Sequence, residues 1–318
     1  MSRRIGLIVA GAAVVVAIVA LWRASAVNER ATLYFTATAA ASLEPCGCPV
    51  NPSGGLPRRA TYVRQHSSAS IVLLEGGGFV APPDPLGELK TQHYLRGLKD
   101  MGYRVIGLSG RDLVYGIDFL RDAGERHGLT FTSANLAYGD GELVFPQYAI
   151  MRAHGPVGLP LTRLRIAVIS VMGLDEPPLC PECPEPLDLL NPVDAAQRAA
   201  TAARGQADLV VVLAATGQET LDRLLQIPEV DVVVAARVLP VPANRSNVGM
   251  VGHAVLAYTG YEARRIGYAY LDLQDSPGRR VVAAAGDLAA LGEDISDEPH
   301  MARLVASYKA AAAKAPQK

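Results

Sequence analysis

The chain holds few of the residues that usually carry chemistry, and its charge is almost cancelled. Six histidines, four cysteines and one tryptophan are spread over 318 residues, with a formal net charge of −1. So even a balance offers no cationic footprint for polyphosphate, and no nucleic-acid partner is expected. Neither cysteine pair is followed by the histidine of a covalent haem motif, since Pro184 follows Cys183, and no haem is expected. Gly76-Gly77-Gly78 has no Lys-Ser/Thr after it, so it reads as a close backbone approach rather than a phosphate cradle. No internal repeat, long linker or second hydrophobic core is visible, which implies one domain. Half of the residues are hydrophobic, enough for that domain to bury a substantial core.

What is present begins with an apolar run. Ile5–Trp22 carries no charge, follows Arg3-Arg4 and precedes Arg23. As a helix it would reach about 27 Å, the thickness of a hydrocarbon layer. Basic residues ahead of it would keep the N-terminus inside and place the rest on the extracytoplasmic, periplasmic side. Residues 1–26 are therefore expected to be a single-pass membrane anchor, with a signal segment cut near Ala24-Ser25-Ala26 as the alternative.

Beyond it, β-branched runs alternate with amphipathic stretches, the pattern of an α/β domain. Strands are expected near Thr32–Thr38, Ile71–Leu74, Arg104–Leu108, Leu129–Ser133, Arg165–Val171, Leu209–Leu213 and Val230–Val234. Helices are expected near Arg58, over Glu88–Met101, Tyr115–His127 and Pro192–Arg204. Strands alone follow Gly249, at His253–Thr259, Arg265–Leu273 and Arg280–Ala285, with the Tyr258, Tyr261, Tyr268 and Tyr270 rings in the core or on a sheet face. The domain spans 27–300, and 301–318 continue the closing helix Pro299–Ala313 and end in a frayed tail.

One loop stands out. Leu43–Ala60 reads LEPCGCPVNPSGGLPRRA, a dense mixture of proline, glycine and cysteine that fixes an irregular backbone, as a site requires. Its Cys46 and Cys48 match a second close pair, Cys180 and Cys183. If the two loops share a rim, four sulfurs could hold one zinc ion; in an oxidising compartment they could instead form disulfides. A reversible Cys180–Cys183 couple is the third reading. Arg58-Arg59 is expected to fix the loop by pairing with acids. All six histidines, His66, His93, His127, His154, His253 and His300, read as surface or packing residues.

Nine fragments in order, LYFT…LEPCGC…GGLPRRA, IVLLEGGG, MGYRVIGLSGRD..YG, LTFTSANL, FPQYAI, LRIAVISVMGL, ADLVVVLAATG, EVDVVVAARV and TGYEARRIGYAYLDL, resemble the calcineurin-like metallophosphoesterases in their 5'-nucleotidase branch. The resemblance covers about Thr32 to Leu273. It implies a four-layer sandwich, two mixed β-sheets face to face with helices outside, whose metal ligands lie on loops at the carboxyl ends of strands. Catalysis in that family implies two divalent cations held by Asp, His and Asn, which activate water and neutralise phosphoryl oxygens. Carried over position by position, the ligands are missing. The Asp-x-His of the first strand falls on Thr38 and Ala40, and the Gly-Asp of the second on Gly77-Gly78. In the Gly-Asn-His-Asp/Glu signature, Asn and His become Gly110 and Arg111, while the non-ligand Asp112 remains. The next His becomes Ala215, and Gly-His-x-His reads Ala236-Arg237-Val238-Leu239.

No dinuclear metal centre is expected from this set. The expectation is a pseudoenzyme acting as a binding or scaffolding component for a protein partner, tethered to the membrane. Arg111 and Arg237 could bind a small anion by paired hydrogen bonds, or could fill the space and pair with Asp112, Glu44 or Glu75. The alternative is an active phosphoesterase or 5'-nucleotidase whose ligands come from other positions; a thiol-redox protein is the second alternative.

Overall fold

The computed structural model of the chain describes residues 29–66, 70–155, 163–176, 178, 180–181, 183, 186–243, 245–275 and 279–315. Among these residues no helix is long and apolar enough to cross a membrane; the expected anchor Ile5–Trp22 and the last three residues lie outside them.

In chain order the elements are β1 (Glu29–Thr36), α1 (Leu56–Gln65), β2 (Ile71–Glu75), α2 (Gly87–Met101), β3 (Val105–Gly107), a 3-10 turn (Gly110–Leu113), α3 (Gly116–His127), β4 (Thr130–Thr132), β5 (Leu136–Tyr138), β6 (Tyr148–Arg152), β7 (Arg165–Met172), β8 (Leu187–Leu189), α4 (Pro192–Arg204), β9 (Leu209–Ala215), α5 (Gln218–Leu224), β10 (Val232–Ala235), β11 (Val248–Val251), β12 (Ala254–Tyr258), a 3-10 turn (Tyr261–Ala263), β13 (Arg265–Asp275), β14 (Arg279–Ala290) and α6 (Pro299–Ala312). Local chemistry explains many of the boundaries. Thr91, Tyr94, Leu95 and Leu98 fall on one buried face of α2, which stops at Gly102 in the left-handed conformation. Asn191 caps α4 by accepting from the Val193 and Asp194 amides, with Pro192 in the first turn. Strand β1 ends at Thr36, short of the expected Thr38, because Thr38, Ala40 and Ala41 have φ of 53°, 45° and 51°. No strand tolerates that conformation.

The strands form a mixed ribbon in the order β4-β3-β2-β1-β13-β14-β11-β12-β10-β9-β7-β6, and β5 and β8 form a small separate pair. Two separate sheets were expected. Instead β14 pairs with β13 along its length and with β11 at Val248↔Gly286, which joins the halves. The halves still face each other: Leu33, Phe35, Val72 and Leu74 share one core with Val168, Val211, Val232 and Val234. Helices α1, α2, α3 and α6 cover one outer face and α4 and α5 the other, giving four layers. Strands β9 and β10 are parallel neighbours buried on both faces, which is why they read as unbroken apolar runs.

Candidate functional site

The loops after β1, β2, β3, β7, β10 and β12, together with the end of β9, converge on a cavity of about 460 Å³. Thr38, Ala40, Gly78, Arg111, Ala215 and Arg237 all line it, so six of the positions singled out as vacated ligand positions meet in space. Gly110 is buried at the start of its 3-10 turn, and Leu239 packs against the outer core instead. Ala37, Ala215 and Ala236 form a small buried apolar cluster beside the cavity.

Backbone geometry holds this arrangement close. The Thr38, Ala40 and Ala41 amides donate to the carbonyls of Gly77, Gly78 and Phe79 at 2.7, 2.9 and 2.6 Å. A Cβ on Gly77 (φ 106°) would lie 2.7 Å from the Ser109 nitrogen, and one on Gly76 would lie 2.5 Å from the Ala236 Cβ. The triple glycine is thus the close approach expected of it. Asp112 ties the same loops together. Its Oδ2 accepts from the Gly78 and Ser109 amides and the Ser109 hydroxyl at 2.7, 2.8 and 2.9 Å. Its Oδ1 accepts from the Phe79 and Val80 amides at 2.9 and 3.1 Å. Burial pushes this carboxyl above its ordinary pKa, and the surrounding donors pull the other way.

The two arginines find acids that sequence reasoning missed. Arg237 pairs with Asp175 at 2.7 Å, and Arg111 Nε lies 3.5 Å from Glu176 Oε1. The hydrogen bond from Arg237 holds the Asp175 carboxyl below its usual value. Neither arginine uses the expected partners. Asp112 is occupied by amides, Glu44 pairs with Lys309, and Glu75 is buried with Arg59 (3.4 Å) and accepts from Tyr94 and Thr36. The signal for the true partners was present, as GLDE directly follows a strand whose end reaches the rim. Tyr261, expected in the core or on a sheet face, lines the cavity and is 57% exposed. Arg58 holds the proline-rich loop through the Pro52 carbonyl rather than through an acid of the loop, with Asp297 3.8 Å from its Nε, and Arg59 pairs instead with Glu75 on β2.

The cysteines form pairs within each motif. Cys180 and Cys183 are joined by a disulfide, while Cys46 and Cys48 are free, with sulfurs 2.9 Å apart. Among the described residues no three His, Cys, Asp or Glu side chains gather as a metal site. This corrects the expected convergence of four sulfurs on one zinc: a disulfide leaves no thiolate at Cys180 or Cys183 to serve as a ligand. Each of the six histidines makes a local contact, with Tyr62 O, Leu89 O, Gln92, Gly102 O, Ile227 O and Asp100, and none lines the cavity.

Comparison with solved structures identifies the fold as that of calcineurin-like phosphoesterases and 5'-nucleotidases. The chain is similar to the 5'-nucleotidase precursor of Thermus thermophilus, with 17% identity and a TM-score of 0.72 over 90% of this chain. It spans 59% of that nucleotidase's length. Similarity to the calcineurin-like phosphoesterase YfkN of Bacillus subtilis covers 90% of this chain and 98% of that one, at 14% identity and a TM-score of 0.73. The NAD nucleotidase NadN of Haemophilus influenzae matches at 14% identity and a TM-score of 0.65, over 91% of this chain and 61% of its own. No family model matches the sequence. The search of curated proteins returns no match.

A dinuclear metal centre, which the fold implies, does not fit the donor set at this cavity. Among the described residues its acids are Glu176, which pairs with Arg111, and Glu262, which pairs with Arg264. The Thr38 hydroxyl donates to Ala37 O, and Ala40, Gly78, Arg111, Ala215 and Arg237 offer methyl groups, a glycine and two cations. Two hard cations need several carboxylate, imidazole or amide ligands.

Proposed function

We propose that this chain is a pseudoenzyme of metallophosphoesterase fold, a membrane-anchored extracytoplasmic component that binds rather than hydrolyses. One observation carries the reading: six positions that would hold metal in this fold surround one cavity, and none presents a carboxylate or imidazole. Without the ions, water activation and neutralisation of phosphoryl charge are lost together.

The pocket offers a small anion two guanidinium groups held in readiness by Asp175 and Glu176. Both ion pairs are substantially exposed, and such pairs contribute roughly 0–1 kcal/mol. A phosphate, sulfate or carboxylate can therefore displace the protein's own acids at little cost and gain charge-assisted hydrogen bonds. The uncharged Ile5–Trp22 run supports the anchor, and a protein partner on the same side of the membrane would make the domain a scaffold.

Assay of the purified full chain in detergent, with a generic phosphodiester and added manganese, tests the central claim. We expect no turnover above background; hydrolysis abolished by a chelator would overturn it. Calorimetry with inorganic phosphate should show binding that Arg111→Ala weakens, and absence of heat with any common anion would remove the anion pocket while leaving the first claim standing.

A further inference from the structure

The Cys46–Cys48 pair lies outside the cavity, and the pocket reading makes no use of it. Its sulfurs lie 2.9 Å apart and the two thiols are free, so each is within reach of the other. Both cysteines are half-buried, and the loop between and beyond them is open to solvent. Gly47 is exposed, with nothing within 4 Å of where its Cβ would be, and Val50 is 75% exposed. From the protein side Cys46 is held firmly: its amide donates to Ser53 O at 2.9 Å, and the Ser53 amide lies 3.4 Å from its sulfur. Ser53 and Asn51 also line a groove of about 630 Å³ together with Arg264 and Arg265, which leaves room for an approaching group.

We propose that Cys46 and Cys48 form a thiol–disulfide exchange site, with Cys46 as the attacking sulfur and Cys48 as the resolving one, acting on an exposed disulfide of a small molecule or peptide. The Cys46 thiolate attacks one sulfur of the incoming disulfide, forming a mixed disulfide and expelling the other sulfur as a thiolate, which takes up a proton. Cys48 then loses its proton, attacks the Cys46 sulfur and expels the second thiolate, which is protonated in turn. The incoming disulfide gains two electrons and two protons, and the protein gains a Cys46–Cys48 disulfide. The division of labour has a physical cause. Hydrogen bonds from Cys48 and Ser53 lower the Cys46 pKa to about 6, while sharing that hydrogen raises Cys48. Arg264 stands within electrostatic reach of both sulfurs.

The full chain with both thiols free is exposed to oxidised glutathione, quenched in acid, alkylated and mapped by mass spectrometry. We expect Cys46 and Cys48 to become a disulfide that reduced glutathione reopens, while Cys180–Cys183 stays bonded. Cys48→Ser should accumulate a glutathione adduct on Cys46, and Cys46→Ser should acquire one on Cys48 roughly threefold to sixfold more slowly at pH 7, the larger thiolate fraction of Cys46 being partly offset by its lower nucleophilicity. Alkylation of Cys46 should reach half its maximal rate near pH 6. Thiols unchanged by oxidised glutathione in the unsubstituted protein, equal trapping in the two variants, or a stoichiometric zinc ion protecting both sulfurs would each overturn the proposal.

Discussion

Asp112 ties the loops around the cavity together from a buried position. It is buried completely and holds five donors, four of them backbone amides, from the loops after β2 and β3. Asp112→Ala would strand those amides in a dry site, at about 1–3 kcal/mol for each one that finds no water. We expect a loss on the order of 3–5 kcal/mol, read as a lower urea midpoint. Asp112→Asn should also destabilise, since its amide would face N–H groups where an oxygen now accepts. Survival of Asp112 at its motif position was legible in the sequence, but the five-donor knot was not, because Gly78–Val80 lie more than thirty residues upstream. The same limit hid the partners of Arg111 and Arg237. Pairing depends on which loops share a rim: Glu176, after β7, meets Arg111 from the other half of the ribbon, and Asp175 meets Arg237 from two strands away in the same half.

Elements were legible where burial covers both faces and obscure where it does not. Strands β7, β9 and β10 announce themselves as apolar β-branched runs, whereas β5, β8 and β11 are three or four residues long and partly exposed, too short for a period to declare itself. Pairing between strands left a subtler mark. Phe35 on β1 is registered opposite Gly267 on β13, and a Cβ on Gly267 would lie 2.0 Å from the Phe35 ring. The glycine is there to admit the ring across the pair. Gly267→Ala should therefore cost about 1–3 kcal/mol by overpacking. Combined with Phe35→Leu it should cost less than the sum of the two changes, because the smaller side chain vacates the space. Additive losses in urea midpoints would instead mean that strain in β13 itself, and not the ring, sets the penalty.

At the scale of the whole molecule, the layered fold and the location of the cavity followed from strand ends and motif order, while closure of the ribbon did not. That closure rests in part on His154, just past β6 at one edge. Its amide and carbonyl exchange 2.7 Å hydrogen bonds with Ile71 at the start of β2, in the other half, and its Nε2 lies 2.7 Å from Gly102 O at the end of α2. In the neutral ring Nε2–H donates to that carbonyl. Desolvation lowers the His154 pKa, the Gly102 carbonyl opposes the shift, and Arg104 adds to it. A folded-state pKa below the unfolded value of about 6.5 means that the unfolded chain binds the proton more readily. The stabilisation is thus complete above about pH 6.5 and is lost as pH falls through the folded value. His127 shifts the same way, and the buried Asp112 and Glu75 the opposite way, so the raw pH profile mixes several groups. Subtracting the profile of His154→Gln, which keeps a side-chain donor but cannot titrate, isolates this one. We expect the urea midpoint of the native chain to fall relative to the glutamine variant between pH 7 and pH 5, and a difference that stays flat across that window would show that His154 closes the ribbon without sensing protons.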